Sequence, residues 1–186
     1  MTTWNKGRRV LGERLRAKSV PLADFIHDLK GRPPLRVPGT AVFMYSNAEG
    51  VTPALLHNLR HNKVLHERVV ILTVETKEVS HVKPEERVRV EERGEGFYRV
   101  VVRYGFMDDP DIPAALRQAE GLGLEYKPEE TTYFLGRETL IATEKEGLSP
   151  WRGELFAVMA RNARRATIFY RIPPECVIEV GSQVEL

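Results

Sequence analysis

The sequence predicts an α/β fold: a mixed β-sheet flanked by helices and preceded by a basic amphipathic helix. Leu55, Leu56 and Leu59 fall on one face of a helix. A continuous apolar run, Val69–Val74, follows that helix and is typical of a strand covered on both faces of a parallel or mixed sheet. Apolar and polar residues alternate on both sides of Arg93–Gly96, which indicates a hairpin. In a chain of 186 residues, these signals favour one α/β domain of ordinary size.

Residues 1–36 are predicted to form a basic arm and linker, and residues 37–186 the α/β domain proper. Residues 3–19 have the periodicity of an amphipathic helix. Gly7 and Gly12 each weaken that helix by about 1 kcal/mol. We therefore expect it to need a surface to lie on.

A second, short helix and a tether are expected between the arm and the body. The helix, Leu22–Leu29, starts at Pro21 and ends at Gly31. The tether, Arg32–Gly39, is rich in proline, which excludes helix and favours extended backbone. The domain boundary is placed within this tether.

The body is predicted to open with the strand Thr40–Ser46. Thr52 caps the helix that follows, and Pro53 suits its first turn because no backbone N–H is needed there. Together with the strand Val69–Val74, these elements form a βαβ unit, which is expected to cross over with a right-handed connection.

The strand after the hairpin turn has apolar residues at alternate positions, which we expect on one face. Arg99 and Arg103 lie between them, so the opposite face is expected to contact solvent. The alternating residues are Tyr98, Val100, Val102, Tyr104 and Phe106.

Four further elements complete the predicted fold. A helix begins at Asp109 or Asp111, with Pro113 in its first turn. The others are a strand at Thr131–Leu135 that continues over Glu138–Ala142, a helix after Ser149-Pro150, and a final strand at Cys176–Val180.

Composition limits the classes of function. The formal net charge is only +2, so bulk charge gives no reason to expect a nucleic-acid partner. The single cysteine, Cys176, cannot form an intrachain disulfide, which favours a reducing cytosolic setting. No apolar run approaches the roughly 18 residues of a membrane-spanning helix, so this polypeptide by itself is expected to be soluble.

The loop between the first strand and the capped helix is the candidate ligand site. Open α/β sheets bind ligands at the carboxyl ends of strands, and a helix N-terminus favours anions. The residues proposed to contact a ligand are Ser46, Asn47, Thr52, His57 and His61. A plain strand–helix turn without a ligand is the alternative, because the sequence has neither glycine-rich nucleotide-binding motif.

Neither metal chemistry nor catalysis is predicted. His57 and His61 share a helix face, but Asn58 stands where a zinc protease motif has glutamate, and no third ligand follows. No serine has the sequence context of a hydrolase nucleophile. We therefore expect no enzyme activity, no cofactor and no metal, and interpret the two histidines as solvated or as ligand contacts.

The basic arm favours the edge of a membrane. A tryptophan at its start and cations along its length suit the cytoplasmic headgroup region, where these residue types accumulate. An ordinary surface helix packed on its own body is the alternative. The membrane-proximal candidates are Trp4, Lys6, Arg8, Arg9, Arg14, Arg16 and Lys18.

Ordered matches along nearly the whole chain carry a family resemblance. They include Val37–Met44, Pro53–Leu59, His61–Val70, Tyr133–Thr139 and Val180–Leu186. On these matches the chain resembles the C-terminal cytoplasmic portion of the Kup (KUP/HAK/KT) potassium uptake permeases.

The resemblance implies a piece of a membrane transporter. In that family a membrane domain moves K⁺ with H⁺, and this portion follows the last membrane helix, so residues 1–18 would be a juxtamembrane helix. The implied partners are the membrane transport domain of the same permease and, through the arm, an anionic membrane surface at the cytoplasmic face. Because this chain has no membrane helix of its own, no ion-pathway residue is assigned to it.

Two roles for the domain are left open. One is regulation, in which the Ser46–Thr52 loop and the adjacent histidines sense a nucleotide or pH and bias transport. The other is assembly, in which the aromatic face (Tyr98, Tyr104 and Phe106) and the last strand form a homodimer interface. A stand-alone ligand-binding or dimerisation module is the alternative to both.

Overall fold

The described chain forms a six-stranded mixed sheet with helices on both faces. A computed structural model describes residues 20–47, 49–141 and 166–185. Two 3₁₀ turns, Pro128–Glu130 and Pro174–Cys176, lead into the last two strands. In chain order the helices and strands are α1 (Leu22–Gly31), β1 (Leu35–Met44), α2 (Pro53–Asn62), β2 (Val64–Lys77), α3 (Pro84–Arg87), β3 (Val88–Gly94), β4 (Phe97–Gly105), α4 (Ile112–Glu120), β5 (Thr131–Ile141), α5 (Ala166–Phe169) and β6 (Val177–Glu185).

The strand order is β3-β4-β2-β1-β5-β6. β3 runs antiparallel to β4, and all other neighbouring strands are parallel. β1 and β2 take the central positions because their apolar runs can be buried on both faces. The predicted mixed α/β sheet with flanking helices is confirmed. The helix predicted at 3–19 and the helix predicted after Ser149-Pro150 lie outside the described residues.

Each face of the sheet carries its own hydrophobic core. On one face, Phe25 of α1 meets Phe97 edge to face at 6.1 Å between ring centroids, and Leu55 of α2 is fully buried. On the other face, α4 packs through Ile112 and Leu116. Burial of each such side chain stabilises the fold by about 1.5–3 kcal/mol, so both helical layers hold the sheet in place.

β1 begins earlier than predicted and includes most of the expected tether, from Leu35 to Gly39. Leu35 already pairs with Val64, and the register of the β1–β2 ladder shifts around Pro38. A proline is tolerated at such a shift because its missing N–H removes no regular ladder bond. The segment Arg32–Gly39 is thus a tether only before Leu35, and the division of the chain at residue 36 stays a prediction.

The face of β4 that was predicted to contact solvent is covered along much of the strand. Phe97 and Val101 are buried on that face, and the side chain of Arg99 between them is only 14% exposed. Phe25 of α1 lies against Phe97. The prediction was wrong there because it followed the arginines and disregarded the apolar residues that alternate with them.

The hairpin turn and the helix start after it are as predicted, whereas the last strand is longer. β3 and β4 meet at Arg93–Gly96, and Asp111 caps α4 by accepting a hydrogen bond from Ala114 N at 2.8 Å. The final strand was predicted at Cys176–Val180, but β6 continues to Glu185 because it pairs with the whole second half of β5.

Candidate functional site

The carboxyl ends of the parallel strands form one edge of the sheet, and α2 begins at this edge. β1 ends at Met44, and a loop leads to Thr52, whose hydroxyl accepts a hydrogen bond from Leu55 N at 3.1 Å. Pro53 follows in the first turn of α2. The predicted cap and proline are confirmed, and they place the positive end of the helix dipole at the carboxyl edge.

A small cleft of about 130 Å³ lies at this edge. Ser46, Thr52 and His57 are among its lining residues, and they are respectively exposed, buried and half-buried. The structure therefore brings three of the five predicted site residues together. The remaining lining residues are Met44, Tyr45, Pro53, Ala54, Gly136 and Val180.

Asn47 and His61 are not among the described residues that line the cleft. The Asn47 side-chain oxygen accepts a hydrogen bond from Glu49 N at 3.2 Å, which shapes the loop. His61 lies one turn farther along α2, and its ring centroid is 5.8 Å from that of His57 at an interplanar angle of 26°. Of the two imidazoles, only His57 is placed to contact a small ligand in the cleft.

Gly136 and Val180 were missed as cleft residues by sequence reasoning. They are register partners on β5 and β6, far along the chain from the loop. An isolated glycine inside a strand can mark a site that a ligand approaches closely, and Gly136, which has open space around it, was the available signal. Among the described lining residues none is Lys, Arg, Asp or Glu, so a ligand would meet hydroxyls, one imidazole and a helix N-terminus.

A larger and more charged cavity of about 410 Å³ lies between α1 and the β3–β4 hairpin. The Arg99 guanidinium lines it and contacts the Glu49 carboxylate, with the Glu91 carboxylate at 3.7 Å. Within the described residues, the buried Nε of Arg99 has no hydrogen-bond partner. Sequence reasoning missed this cavity because α1 was assigned to the arm and linker. The other charged or titratable lining residues are His27, Lys30 and Arg93.

The acidic residues after β4 fix two loops. Asp108 accepts hydrogen bonds from Val82 N at 3.0 Å and from Gly105 N at 2.7 Å. Its other oxygen lies 2.8 Å from His81 Nδ1. These donors, with Arg87 at 3.6 Å, hold the pKa of the Asp108 carboxyl far below its usual range. Asp108 therefore stays ionised and ties the loop after β2 to the end of β4.

The aromatic face that was proposed for dimerisation does not form one exposed patch. Tyr104 is buried, and its hydroxyl donates to Asp111 O at 2.9 Å and accepts from Asp111 N at 3.0 Å. Phe106 lies beyond the end of β4 and is 67% exposed. Grouping these residues was wrong because the strand ends at Gly105, and the alternation ends with it.

The family model for the K+ potassium transporter C-terminal domain matches residues 38–186. The chain belongs to this family. A "Probable potassium transport system protein Kup" of Myxococcus xanthus (strain DK1622) is 55% identical over 186 residues, covering 100% of this chain and 28% of the relative. The corresponding Kup 1 protein of Geobacter sulfurreducens is 52% identical over 187 residues, covering 100% of this chain and 30% of the relative. No solved structure matches the chain.

As a Kup C-terminal domain, the chain spans less than a third of the length of the curated relatives it matches. The resemblance read from the ordered sequence matches is confirmed. Across residues 20–47, 49–141 and 166–185, no helix has the length and apolar character needed to cross a bilayer. The same residues bring together no group of three or more side chains that could hold a metal ion.

Proposed function

We propose that this domain is the cytoplasmic part of a potassium uptake transporter whose membrane part moves K⁺ together with H⁺. The family match over residues 38–186 and the names of the relatives support the proposal. Most of each relative lies outside the matched segment, which leaves room for an ion pathway there. Within such a transporter, the domain regulates the pathway.

The cleft at the carboxyl edge carries the regulatory role. Ser46, Thr52 and His57 present two hydroxyls and an imidazole at a helix N-terminus, where open α/β sheets bind ligands. Its volume of about 130 Å³ is well below the roughly 300 Å³ at which pockets for drug-sized ligands begin. The cleft is therefore suited to a small ligand, or to one ring or phosphate of a larger one.

A whole nucleotide would find more space and more positive charge in the larger cavity. Its volume of about 410 Å³ lies within the roughly 300–1,000 Å³ of typical ligand pockets. Lys30, Arg93 and Arg99 supply cations that suit phosphate, which would replace their present carboxylate partners Glu95, Glu91 and Glu49. Glu49 of this cavity belongs to the same loop as Ser46 of the cleft, so a ligand in either place acts on that loop.

Calorimetric titration of the 186-residue chain with adenine nucleotides and cyclic dinucleotides tests ligand sensing. If the cleft is the site, Ser46→Ala with His57→Ala is expected to weaken binding by about tenfold or more, because hydrogen bonds to the ligand are lost. If the larger cavity is the site, Lys30→Gln with Arg93→Gln has that effect. Lys127→Gln, an exposed change outside both linings, is the control. Absence of heat with every nucleotide contradicts ligand sensing.

Measurements of K⁺ uptake test the regulatory role itself. This chain replaces the matching segment of the Myxococcus xanthus relative, and K⁺ uptake is measured in cells without their own uptake systems. Uptake is expected to change when the segment is removed. If the domain senses pH, His57→Gln with His61→Gln shifts the pH dependence of uptake. A pH profile that is the same in this variant counts against pH sensing.

Assembly is the second candidate role, and the position of β6 favours it. β6 lies at one end of the strand order, and within the described residues it pairs with β5 alone. An edge strand can template pairing with a second copy of the chain. Sedimentation at high protein concentration is expected to show a homodimer that Ile178→Lys weakens. A strictly monomeric mass would remove this role.

A further inference from the structure

The polypeptide enters the described domain at the carboxyl edge of the sheet. Val20 O accepts a hydrogen bond from Val51 N at 2.9 Å, and Pro21 forms a β-bridge with Gly50 in the loop after β1. The family description places this domain at the C-terminus, and the relatives are more than three times as long as the matched segment. The chain from the rest of the transporter therefore arrives at this edge.

The same edge carries a raised and exposed apolar surface. β2 pairs with β1 up to Leu72 and then continues beside β4 to Lys77, roughly 16 Å farther at about 3.3 Å per residue. Beyond the strand ends, Phe106 N donates to Val79 O at 2.9 Å, which joins the two loops. Val79, Phe106 and Met107 are 48%, 67% and 63% exposed, and we call these three residues the apolar tip.

The apolar tip stands on loops that are held in place. Asp108 binds the backbone N–H of Val82 in one loop and of Gly105 at the base of the other. Met107 N donates to Ser80 O at 3.0 Å. Large apolar side chains that a braced loop keeps in water are typical of an interaction site, because they gain no burial among the described residues.

The charge around the apolar tip selects the kind of partner. The loop 78–83, between β2 and α3, and the loop 106–111, between β4 and α4, contain one lysine, Lys83, against four carboxylates: Glu78, Asp108, Asp109 and Asp111. Arg87 and Arg171 lie 3.6 Å from Asp108 and Asp109 at the border of this region. An acidic surface is repelled by anionic lipid, whereas the cytoplasmic loops of membrane helices are enriched in Lys and Arg.

We propose that the apolar tip docks on basic cytoplasmic loops of the transporter's membrane part, with Phe106 and Met107 as its apolar anchors. The inference rests on the proposed function, because it takes the membrane part as the partner. Chain entry, the cleft and the apolar tip then all lie on the side of the domain that faces the ion pathway. A movement of the Ser46–Thr52 loop is then transmitted to the membrane part, because the loop and the docked apolar tip lie at the same edge of the sheet.

Photo-crosslinking in the fused Myxococcus xanthus transporter tests the docking. Met107→p-benzoylphenylalanine is expected to crosslink to peptides from cytoplasmic loops of the membrane part. Leu122, an exposed apolar residue past the far end of α4, is the control position, and no such crosslink is expected from it. Crosslinks from position 107 to lipid, to residues 1–19 or 142–165, to a second copy, or to nothing overturn the proposal.

Uptake measurements separate this inference from the proposed function. Phe106→Asp with Met107→Asp is expected to leave the thermal midpoint of the isolated chain unchanged, because both side chains are exposed. K⁺ uptake by the fused transporter is expected to equal that of the transporter without the segment, while Leu122→Asp has no effect. If uptake depends on the segment but not on these two residues, the docking is wrong and the proposed function stands. If removing the segment changes nothing, the proposed regulatory role is wrong.

Discussion

Two buried tyrosine hydroxyls share one hydrogen bond in the core on the α4 side of the sheet. The Tyr126 and Tyr133 oxygens are 2.9 Å apart, and both residues are buried. Tyr133→Phe leaves the Tyr126 hydroxyl without this partner, so the free energy of unfolding is expected to fall by about 1–2 kcal/mol. The double Phe variant is expected to lose less than the sum of the single variants. Urea unfolding measures this, with Tyr98→Phe as control, and additive losses contradict it.

The same two hydroxyls are expected to make the free energy of unfolding fall at alkaline pH. Burial raises the pKa of both groups above 10.0, and that of Tyr133 far above it. The folded state keeps protons that the unfolded chain releases, so stability is full below about pH 10 and falls as the pH rises further. The double Phe variant should lose less stability than the natural chain between about pH 9 and pH 11. If the free energies of unfolding of the two proteins, measured with urea, change with pH in parallel, the tyrosines are not the cause.

His66 has the opposite effect and lowers the stability of the fold at acid pH. Burial lowers its pKa from 6.5, and its Nδ1 is buried with no partner within the described residues. The unfolded chain binds a proton that the folded state resists, so stability is full above about pH 6.5 and falls as the pH drops. His66→Asn is expected to flatten the loss of stability between about pH 6.5 and pH 5. Urea unfolding at each pH measures this, and His27→Asn, an exposed change on α1, is the control variant.

At the scale of elements, the β3–β4 turn depends on two glycines with different surroundings. Gly94 and Gly96 have φ values of 84° and 74°. A Cβ at Gly96 would also collide with the backbone oxygen of Glu67, whereas space around Gly94 is open. Gly94→Ala is expected to lower the free energy of unfolding by only about 1–2 kcal/mol, the cost of a left-handed backbone conformation at a residue with a Cβ. Gly96→Ala should lower the free energy of unfolding by clearly more, because β2 and the turn must separate. Equal losses in thermal unfolding would contradict the close approach.

Elements with a local signal were predictable, and those defined by a distant partner were not. The start of α2 follows from Thr52 as a cap, and the burial of β2 follows from the run Val69–Val74. The start of β1 at Leu35 depends on pairing with a strand nearly thirty residues later. The cover over Phe97 depends on α1, the first helix of the described chain. Pairing and packing of this kind are set by topology, which periodicity does not encode.

The candidate cleft was predictable to the same extent. The strand–helix loop identified Ser46 and Thr52, and helical spacing placed His57 near them. Gly136 and Val180 enter the cleft only because β5 lies beside β1 and β6 beside β5. The local sequence pattern is enough to identify the loop. The strand order determines which residues from distant parts of the chain complete the cleft.

At the scale of the whole molecule, one edge of the sheet combines several features on which the proposed regulation depends. The chain enters there at Val20, α2 presents its N-terminus there, and the cleft and the apolar tip share that side. Parallel strands produce this arrangement, because all of their carboxyl ends and the loops after them meet at one edge. The division of labour that we propose follows from charge: the basic arm is expected to contact lipid, and the apolar tip, with carboxylates beside it, a basic protein surface.

This proposed difference between the arm and the apolar tip predicts that binding to anionic vesicles requires the arm and not the apolar tip. Residues 1–19 carry six cations, and each Lys or Arg near an anionic surface contributes about 1 kcal/mol. Replacing Arg8, Arg9, Arg14 and Arg16 by Gln is therefore expected to weaken binding to phosphatidylserine vesicles by about a hundredfold or more. Co-sedimentation measures this, with phosphatidylcholine vesicles as the neutral control.

Phe106→Asp with Met107→Asp is the matched variant for this measurement, and it should bind anionic vesicles at least as well as the natural chain. Raised salt should release both proteins, because the attraction of the arm is electrostatic and is screened within about 8 Å at physiological ionic strength. Weaker binding of this variant would assign the apolar tip to lipid. Equal binding of the natural chain to neutral vesicles would remove the electrostatic role of the arm.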